Sequence, residues 1–226
     1  MAATEERLNR PANALDLYRR AEVLATSDAA VDPKDAQAQR DQQVGYSNLT
    51  RVYLRLGRLA EADRSSHREL VLAQSLWKLN PQDAMATDDL AGSEEHLAEV
   101  QAKMQDHAAA IASEEDALRL LNLNFRRSDS ADSLAAVADS NLKLANYHLD
   151  QASANPAKAH VSREEAVQSL TELHRLEPRF RPGYAEDAER AAKIRKLEAR
   201  LRGQADETAV LLLLYSESKA PDGPLD

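Results

Sequence analysis

The chain has 226 residues, of which 43% are hydrophobic and 30% charged, and its formal net charge is -9. This composition favours a folded domain with a hydrated surface, and the negative charge disfavours binding to nucleic acid or to an anionic membrane. The sequence holds no cysteine, which excludes disulfides, thiol catalysis and cysteine-based zinc sites, and its aromatic content of 4% favours packed helices over a β-sheet.

The first 31 residues fall into two parts. Residues 1–11 are polar and lack the apolar centre of a secretory signal, so we expect a flexible N-terminus. Residues 12–31 carry Ala14, Tyr18 and Ala21 at helical spacing and predict one helix. Because the residues before it are too few and too polar to supply a partner helix, we expect this segment to be half of a helical pair. The other half would come from a longer protein or from another chain.

Two similar segments then start 48 residues apart, as measured between Pro33 and Pro81. Asp32 precedes the first proline and Asn80 the second. Proline fits the first turn of a helix, and the residue before it can cap the free N–H groups, so each pair predicts a helix start. With two further copies, the predicted repeats cover about residues 32–79, 80–124, 128–176 and 177–218.

One apolar position recurs in every copy. Leu49, Leu97 and Ile194 each lie 17 residues after the start of their copy, and Leu142 ends a Ser-Asn-Leu triplet that also occurs at Leu49. The flanking apolar residues follow a helical period, so we expect these four side chains to be buried.

Each copy predicts a helix, a short turn and a second helix. In the first copy Gly57 interrupts the apolar period, and the second helix ends at Leu79. Neither helix can bury its apolar face alone, so we expect successive pairs to stack. In the third copy, Asp150–Ser162 predicts an irregular loop inserted between the two helices.

The C-terminal residues predict one more helix and a tail. The apolar segment Val210–Tyr215 predicts a last helix that covers the open end of the stack, and residues 219–226 predict a disordered tail. The most apolar run, Ala209–Tyr215, is far shorter than the roughly 20 residues that a membrane span needs. With neither a span nor a signal peptide in the sequence, we expect a cytoplasmic location.

The first copy resembles the tetratricopeptide repeat. The resemblance rests on the residues at the signature positions of that family, which are Tyr46, Leu49, Thr50, Tyr53, Gly57, Ala62 and Pro81. The family places its proline 12 residues after its alanine, whereas 19 residues separate Ala62 from Pro81, so the second helix is longer by about two turns. The resemblance covers about residues 12–203. It implies an all-α, right-handed superhelix of antiparallel helix pairs that binds a peptide or a partner protein through its concave face.

The resemblance also implies which side chains face the concave surface, because they flank the signature leucine on the first helix of each pair. In the first three copies these candidates are Ser47, Arg51, Arg55, Glu95, Glu99, Lys103, Ser140, Leu144, Tyr147 and His148. The family's groove can hold a peptide's terminal carboxylate. Two acids in this groove, Glu95 and Glu99, would repel such a group, so we expect that binding mode to be absent.

The long repeats and the insertion also resemble the tetratricopeptide tails of bacterial serine/threonine protein kinases. That resemblance implies an alternative function as a regulatory or sensory segment of a multidomain enzyme. The sequence has no kinase motif and no glycine-rich phosphate loop. The neighbouring acids at residues 94–95 and 114–116 predict a solvated helix face, as does His96. We therefore expect no enzymatic activity, no cofactor and no metal.

Overall fold

The computed structural model describes residues 2–8, 10–32, 35–180 and 184–204, and within these ranges the chain has no β-strand. This confirms the all-α prediction. The helices in chain order are α1 (Ala2–Arg7), α2 (Pro11–Val31), α3 (Ala36–Arg55), α4 (Leu59–Leu79), α5 (Ala84–Lys103), α6 (His107–Ser128), α7 (Ala131–Ala154), α8 (Ala159–Leu176) and α9 (Ala185–Gln204). A 3-10 turn at Glu177–Arg179 follows α8. None of these helices is long and apolar enough to cross a lipid bilayer.

The starts of α3 and α5 differ from the prediction by three residues. The Asp35 side chain accepts hydrogen bonds from the backbone N–H groups of Gln37 and Ala38, and Asp83 accepts one from Met85. These aspartates cap the free N–H groups of the first turn. Asp32 and Asn80 are not the N-caps of these two helices, since Asn80 lies just past the end of α4 and Asp32 just past the end of α2.

The turn between α3 and α4 confirms the break predicted at Gly57. Its φ of 67° lies in the left-handed region that glycine adopts without strain. The N–H of Gly57 donates to the carbonyl of Leu54, and the N–H of Arg58 donates to that of Tyr53. These two bonds satisfy carbonyl groups at the end of α3 and turn the chain into α4.

The chain divides into two compact units, and the first, Met1–Arg127, contains α1 to α5 and nearly all of α6. Helices α2, α3 and α4 pack in succession with alternating direction. Arg19 of α2 contacts Tyr53 near the end of α3, whereas Thr26 contacts Gln42 nearer its start. The apolar core here comprises Ala14, Leu15, Tyr18, Tyr46, Leu49, Val52, Tyr53, Ala62 and Val100.

Helices α3 and α5 are parallel neighbours in this unit. Arg40 Nε donates to Asp89 Oδ2 at 2.9 Å, and Gln43 Nε2 donates to Ser93 Oγ at 3.3 Å. Both pairs advance in the same direction, and their members are 49 and 50 residues apart. The 48-residue period of the sequence therefore has a counterpart in the packing.

The second unit, Ser128–Asp226, contains α7, α8 and α9 in its described part. Helix α9 runs parallel to α7, because Arg190 binds Asp139 and Arg200 binds Asp150 across separations of 51 and 50 residues. The core of this unit comprises Ala138, Leu142, Ala145, Leu149, Ala166, Leu170, Leu173, Ile194, Leu197 and Leu201. Each unit therefore stacks its helices with the same spacing along the chain.

The four recurring apolar residues are buried, as predicted. Leu49, Leu97 and Leu142 are each 5% exposed, and Ile194 is 1% exposed. The period read from the sequence therefore marks the positions at which the helices meet.

Two predicted irregular segments are helical instead. Where a flexible N-terminus was expected, the structure has α1, and Ala2 packs against the apolar core of the first unit. Where an irregular loop was expected over Asp150–Ser162, α7 continues to Ala154 and α8 begins at Ala159, so only residues 155–158 lie outside a helix. Small buried residues on both sides of the turn, Ala152 and Ser162 among them, allow the two helices to pack up to the turn. The helix predicted at Val210–Tyr215 and the tail at residues 219–226 lie outside the described residues.

Candidate functional site

A cleft of about 230 Å³ opens in the first unit where α2, α3 and α4 meet. Tyr46, Leu49 and Tyr53 of α3 form its floor, and all three side chains are almost fully buried. The walls are charged and come from the two flanking helices. They comprise Arg19 and Glu22 of α2 and Glu61, Arg64, Ser65 and Arg68 of α4. We call this site the arginine–tyrosine cleft.

Arginine side chains cover both tyrosine rings of the floor. Arg19 Nε donates to the Tyr53 hydroxyl at 3.1 Å, and the guanidinium carbons of Arg19 and Arg58 lie 5.6 and 5.2 Å from the centre of that ring. Arg68 reaches Tyr46 in the same way, with 3.5 Å to the hydroxyl and 5.6 Å to the ring centre. At these distances the ring faces attract the cations. The guanidinium groups are therefore held in place by the floor of the cleft.

The cleft has an excess of positive charge. Among the described residues Arg19, Arg64 and Arg68 form no salt bridge, and all three side chains are exposed. Of the two acids in the walls, Glu61 pairs with Arg58, whose hydrogen bond holds the pKa of that carboxyl below its usual value. Glu22 accepts a hydrogen bond from the Thr26 hydroxyl at 2.9 Å and has no cationic partner in the described part of the chain. This local field is opposite in sign to the chain's net charge of -9.

The candidate residues predicted on α3 and α5 all lie in the first unit, and none of them lines the arginine–tyrosine cleft. Arg51, Arg55, Glu99 and Lys103 are exposed, while Ser47 and Glu95 are half-buried. The four-residue spacing on each helix keeps its candidates on one helical face. These side chains present mixed charge to solvent.

The candidates predicted on α7 are mostly inaccessible. Ser140, Leu144 and His148 are 0%, 4% and 5% exposed, and Tyr147 is half-buried. His148 Nδ1 lies 3.1 Å from a carboxylate oxygen of Glu165 on α8. Ser140, Leu144 and His148 therefore expose almost no surface to solvent in this structure. Helix α7 packs against both α8 and α9, so side chains on more than one of its faces are buried.

A buried polar network joins α3, α4 and α5, and the sequence analysis missed it. Glu69 of α4 is 1% exposed and accepts from Ser93 Oγ at 3.3 Å, and His96 Nδ1 lies 2.8 Å from the same carboxylate oxygen. Gln43 of α3 in turn donates to Ser93. Glu69 lies on the same helical stripe as the buried residues Ala62, Ser66, Ala73 and Leu76, a signal that could have revealed its burial.

His96 was expected on a solvated face, but its imidazole belongs to this network. Burial lowers the pKa of His96, while its hydrogen bond to Glu69 and the nearby carboxylates of Glu69, Glu95 and Glu99 raise it, and the net effect is a raised pKa. The imidazolium form therefore compensates the buried Glu69 carboxylate.

Two further acids are buried although a solvated face was predicted for them. Glu94 is 8% exposed, and burial raises the pKa of its carboxyl although Arg119 opposes the change. Glu114 of α6 is fully buried. Both lie on the apolar stripes of their helices, between Leu90 and Leu97 and between Ala110 and Ala117. Across the described ranges, no cluster of three or more His, Asp or Glu side chains is arranged to hold a metal ion.

Comparison of the chain with protein-family models and with curated proteins finds no match. The resemblance to tetratricopeptide repeats and the kinase-associated alternative therefore remain predictions from the sequence.

Proposed function

We propose that the chain is a tetratricopeptide-like helical repeat, coiled as a right-handed superhelix, that binds a peptide or a partner protein through its first unit. Support for the repeat comes from the contacts between parallel helices, whose partners are 49 to 51 residues apart in both units. Such a stack leaves long side chains of consecutive helices exposed over an extended surface, which suits the binding of another chain.

The observation that carries the proposal is the arginine–tyrosine cleft. Arg19 and Arg68 are held over tyrosine rings without a carboxylate partner in the described part of the chain. Arginine and tyrosine are enriched among the residues that dominate protein interfaces. Because these guanidinium groups are already positioned, binding a partner costs less side-chain conformational entropy than it would if the arginines had to be ordered first.

The exposed charges on α3 and α5 are a second contact surface for the same partner. Arg51 and Arg55 are basic, whereas Glu99 is acidic and Lys103 basic again. Mixed charge of this kind selects a partner with the complementary pattern and accelerates its encounter.

A peptide selection tests the proposal. Peptides selected from a random library against the intact chain are measured by fluorescence anisotropy with the wild-type chain, with R64E/R68E in the cleft and with E95K/E99K on α5. Exposed arginines away from both surfaces supply the control variant, R126E/R195E, which changes the charge by the same amount as R64E/R68E.

We expect a selected peptide to lose about tenfold or more in affinity with R64E/R68E or with E95K/E99K, but not with R126E/R195E. Failure to select any peptide, or equal binding by all variants, would refute the proposed function.

A further inference from the structure

We propose that the arginine–tyrosine cleft binds a phosphorylated side chain of a peptide segment. This inference rests on the proposed function and names the chemistry of the partner. It concerns the cleft between α2, α3 and α4 alone and does not involve the second unit.

The number and placement of the cations around the cleft suit a phosphate. Arg19 stands on the α2 wall, and Arg64 and Arg68 stand on the α4 wall, so guanidinium groups flank the cleft from two sides. A carboxylate is satisfied by one guanidinium fork, whereas a phosphate carries nearly two negative charges and three strong acceptor oxygens. Three arginines without a salt bridge in the described part of the chain therefore match a phosphate better than a carboxylate.

The cleft also supplies hydroxyl groups that can donate to a phosphate oxygen. The Tyr46 and Tyr53 hydroxyl oxygens accept from Arg68 and Arg19, so each retains its own proton for donation to an incoming oxygen. Ser65 of α4 lines the same cleft and adds a third hydroxyl. Arginine forks and hydroxyl donors around one small volume are the groups that proteins use to bind phosphate.

The volume of the cleft and the charges around it limit what the ligand can be. A cleft of about 230 Å³ is smaller than the roughly 300–1,000 Å³ of sites that enclose a whole small molecule, so it has room for one side-chain head group. Glu22 and Glu61 also line it, and the chain carries a net charge of -9. These charges oppose nucleic acid and anionic membranes. They also favour neutral or basic residues, and not acidic ones, on either side of the bound phosphate.

The test uses a blocked pentapeptide in which a phosphoserine is flanked by two glycines on each side. The matched probes are the same peptide with serine, the same peptide with glutamate, and inorganic phosphate. Affinity is measured by isothermal titration calorimetry, and the position of binding is read from the arginine Nε–Hε signals in nitrogen-15 NMR spectra.

We expect saturable binding of the phosphopeptide, weaker binding of the glutamate peptide and none of the serine peptide. The signals of Arg19, Arg64 and Arg68 should shift. R64Q/R68Q should weaken phosphopeptide binding about tenfold or more, because two charge-assisted hydrogen-bonding groups are lost. The control R126Q/R195Q removes the same charge elsewhere and should leave the affinity within about twofold.

Equal binding of the serine peptide, equal weakening by R126Q/R195Q, or unshifted cleft signals would overturn the proposal. Equal affinity for inorganic phosphate would overturn the peptide as the ligand and assign the cleft to a free anion. If R64Q/R68Q loses its helical circular dichroism, Y46F replaces it. This variant removes only one hydroxyl and must still weaken phosphopeptide binding for the proposal to stand.

The two proposals fail separately. If library peptides bind the α3 and α5 surface but the phosphopeptide does not bind the cleft, the phosphate inference is wrong and the proposed function stands. If the phosphopeptide binds the cleft but no unmodified library peptide is selected, the phosphate chemistry stands and the proposed binding of unmodified peptides is wrong.

Discussion

His96 should be a main stabiliser of the first unit, because it is the nearest partner of a buried carboxylate. Glu69 is 1% exposed in the wild type, and H96A would leave it only the 3.3 Å bond from Ser93. The second Glu69 oxygen already has no hydrogen-bond partner among the described residues. Removing one partner of a buried ion pair costs about 3 kcal/mol or more. With a urea dependence of about 2 kcal/mol per molar, the unfolding midpoint should fall by about 1.5 M.

The assay can be confined to the first unit. Trp77 is the only tryptophan and lies on α4, the helix that also carries Glu69, so its fluorescence in a urea titration follows this unit. The double variant E69L/H96L removes both charges and should return to within about 1 kcal/mol of the wild type. H160A, in the second unit, alters an exposed histidine and should leave the tryptophan-detected midpoint unchanged.

The pH dependence gives a second check on His96. Its pKa in the folded chain is raised above the usual 6.5, so its stabilising contribution is complete below about pH 6.5 and is lost as the pH rises through the folded value. The difference in unfolding free energy between the wild type and H96A should therefore be largest near pH 6 and shrink towards pH 9. A difference that grows with pH, or a urea midpoint of H96A equal to that of H160A, would contradict the stabilising role of His96.

Four further substitutions test the packing, the charges and the backbone conformation. R190A removes the guanidinium that lies 2.7 Å from the buried Asp187 carboxylate, which should lower the free energy of unfolding by about 3 kcal/mol. Amide hydrogen exchange along α9 should then be about 100-fold faster. Unchanged exchange would contradict the role of this ion pair. Burial raises the pKa of Glu94, so the stabilising contribution of its neutral form is complete below pH 4.5 and is lost at higher pH. Because glutamine stays neutral, E94Q should raise the urea midpoint at pH 7 and give no gain at pH 4. G57A should destabilise the chain by about 1 kcal/mol because the φ of Gly57 is positive. Gly92 lies inside α5 with open space around a new Cβ, so G92A should stabilise the chain by about 0.5–1 kcal/mol. Equal thermal shifts for the two glycine variants would contradict these expectations.

The sequence predicts the helices better than it predicts their ends. The burial of Leu49 and Ile194 follows from the apolar period, because that period is what the packing of neighbouring helices requires. The helix starts shift to Asp35 and Asp83, since a carboxylate just before the helix caps its free N–H groups better than a residue on the far side of the turn. A helix boundary depends on local hydrogen bonds that composition does not reveal.

The burial of charged residues was not predicted, for a different reason. Glu69 and Glu114 are buried, although acidic residues in folded proteins are nearly always exposed. Their positions on apolar stripes indicate burial, but only if position is given more weight than residue type. The arginine–tyrosine cleft could not be predicted at all, because it depends on where α2 and α4 lie across α3 and on the conformations of three arginine side chains.

The cleft combines packing with binding in the same side chains. Long arginine side chains from the flanking helices cover the rings of Tyr46 and Tyr53. The aliphatic stems and the flat guanidinium faces shield apolar ring surface, while the N–H groups at the edges remain available to donate. Replacing Arg68 by leucine would therefore preserve much of the ring coverage and remove the donors. Stability and phosphate binding are separable at this position, since the first depends on the area covered and the second on the charge.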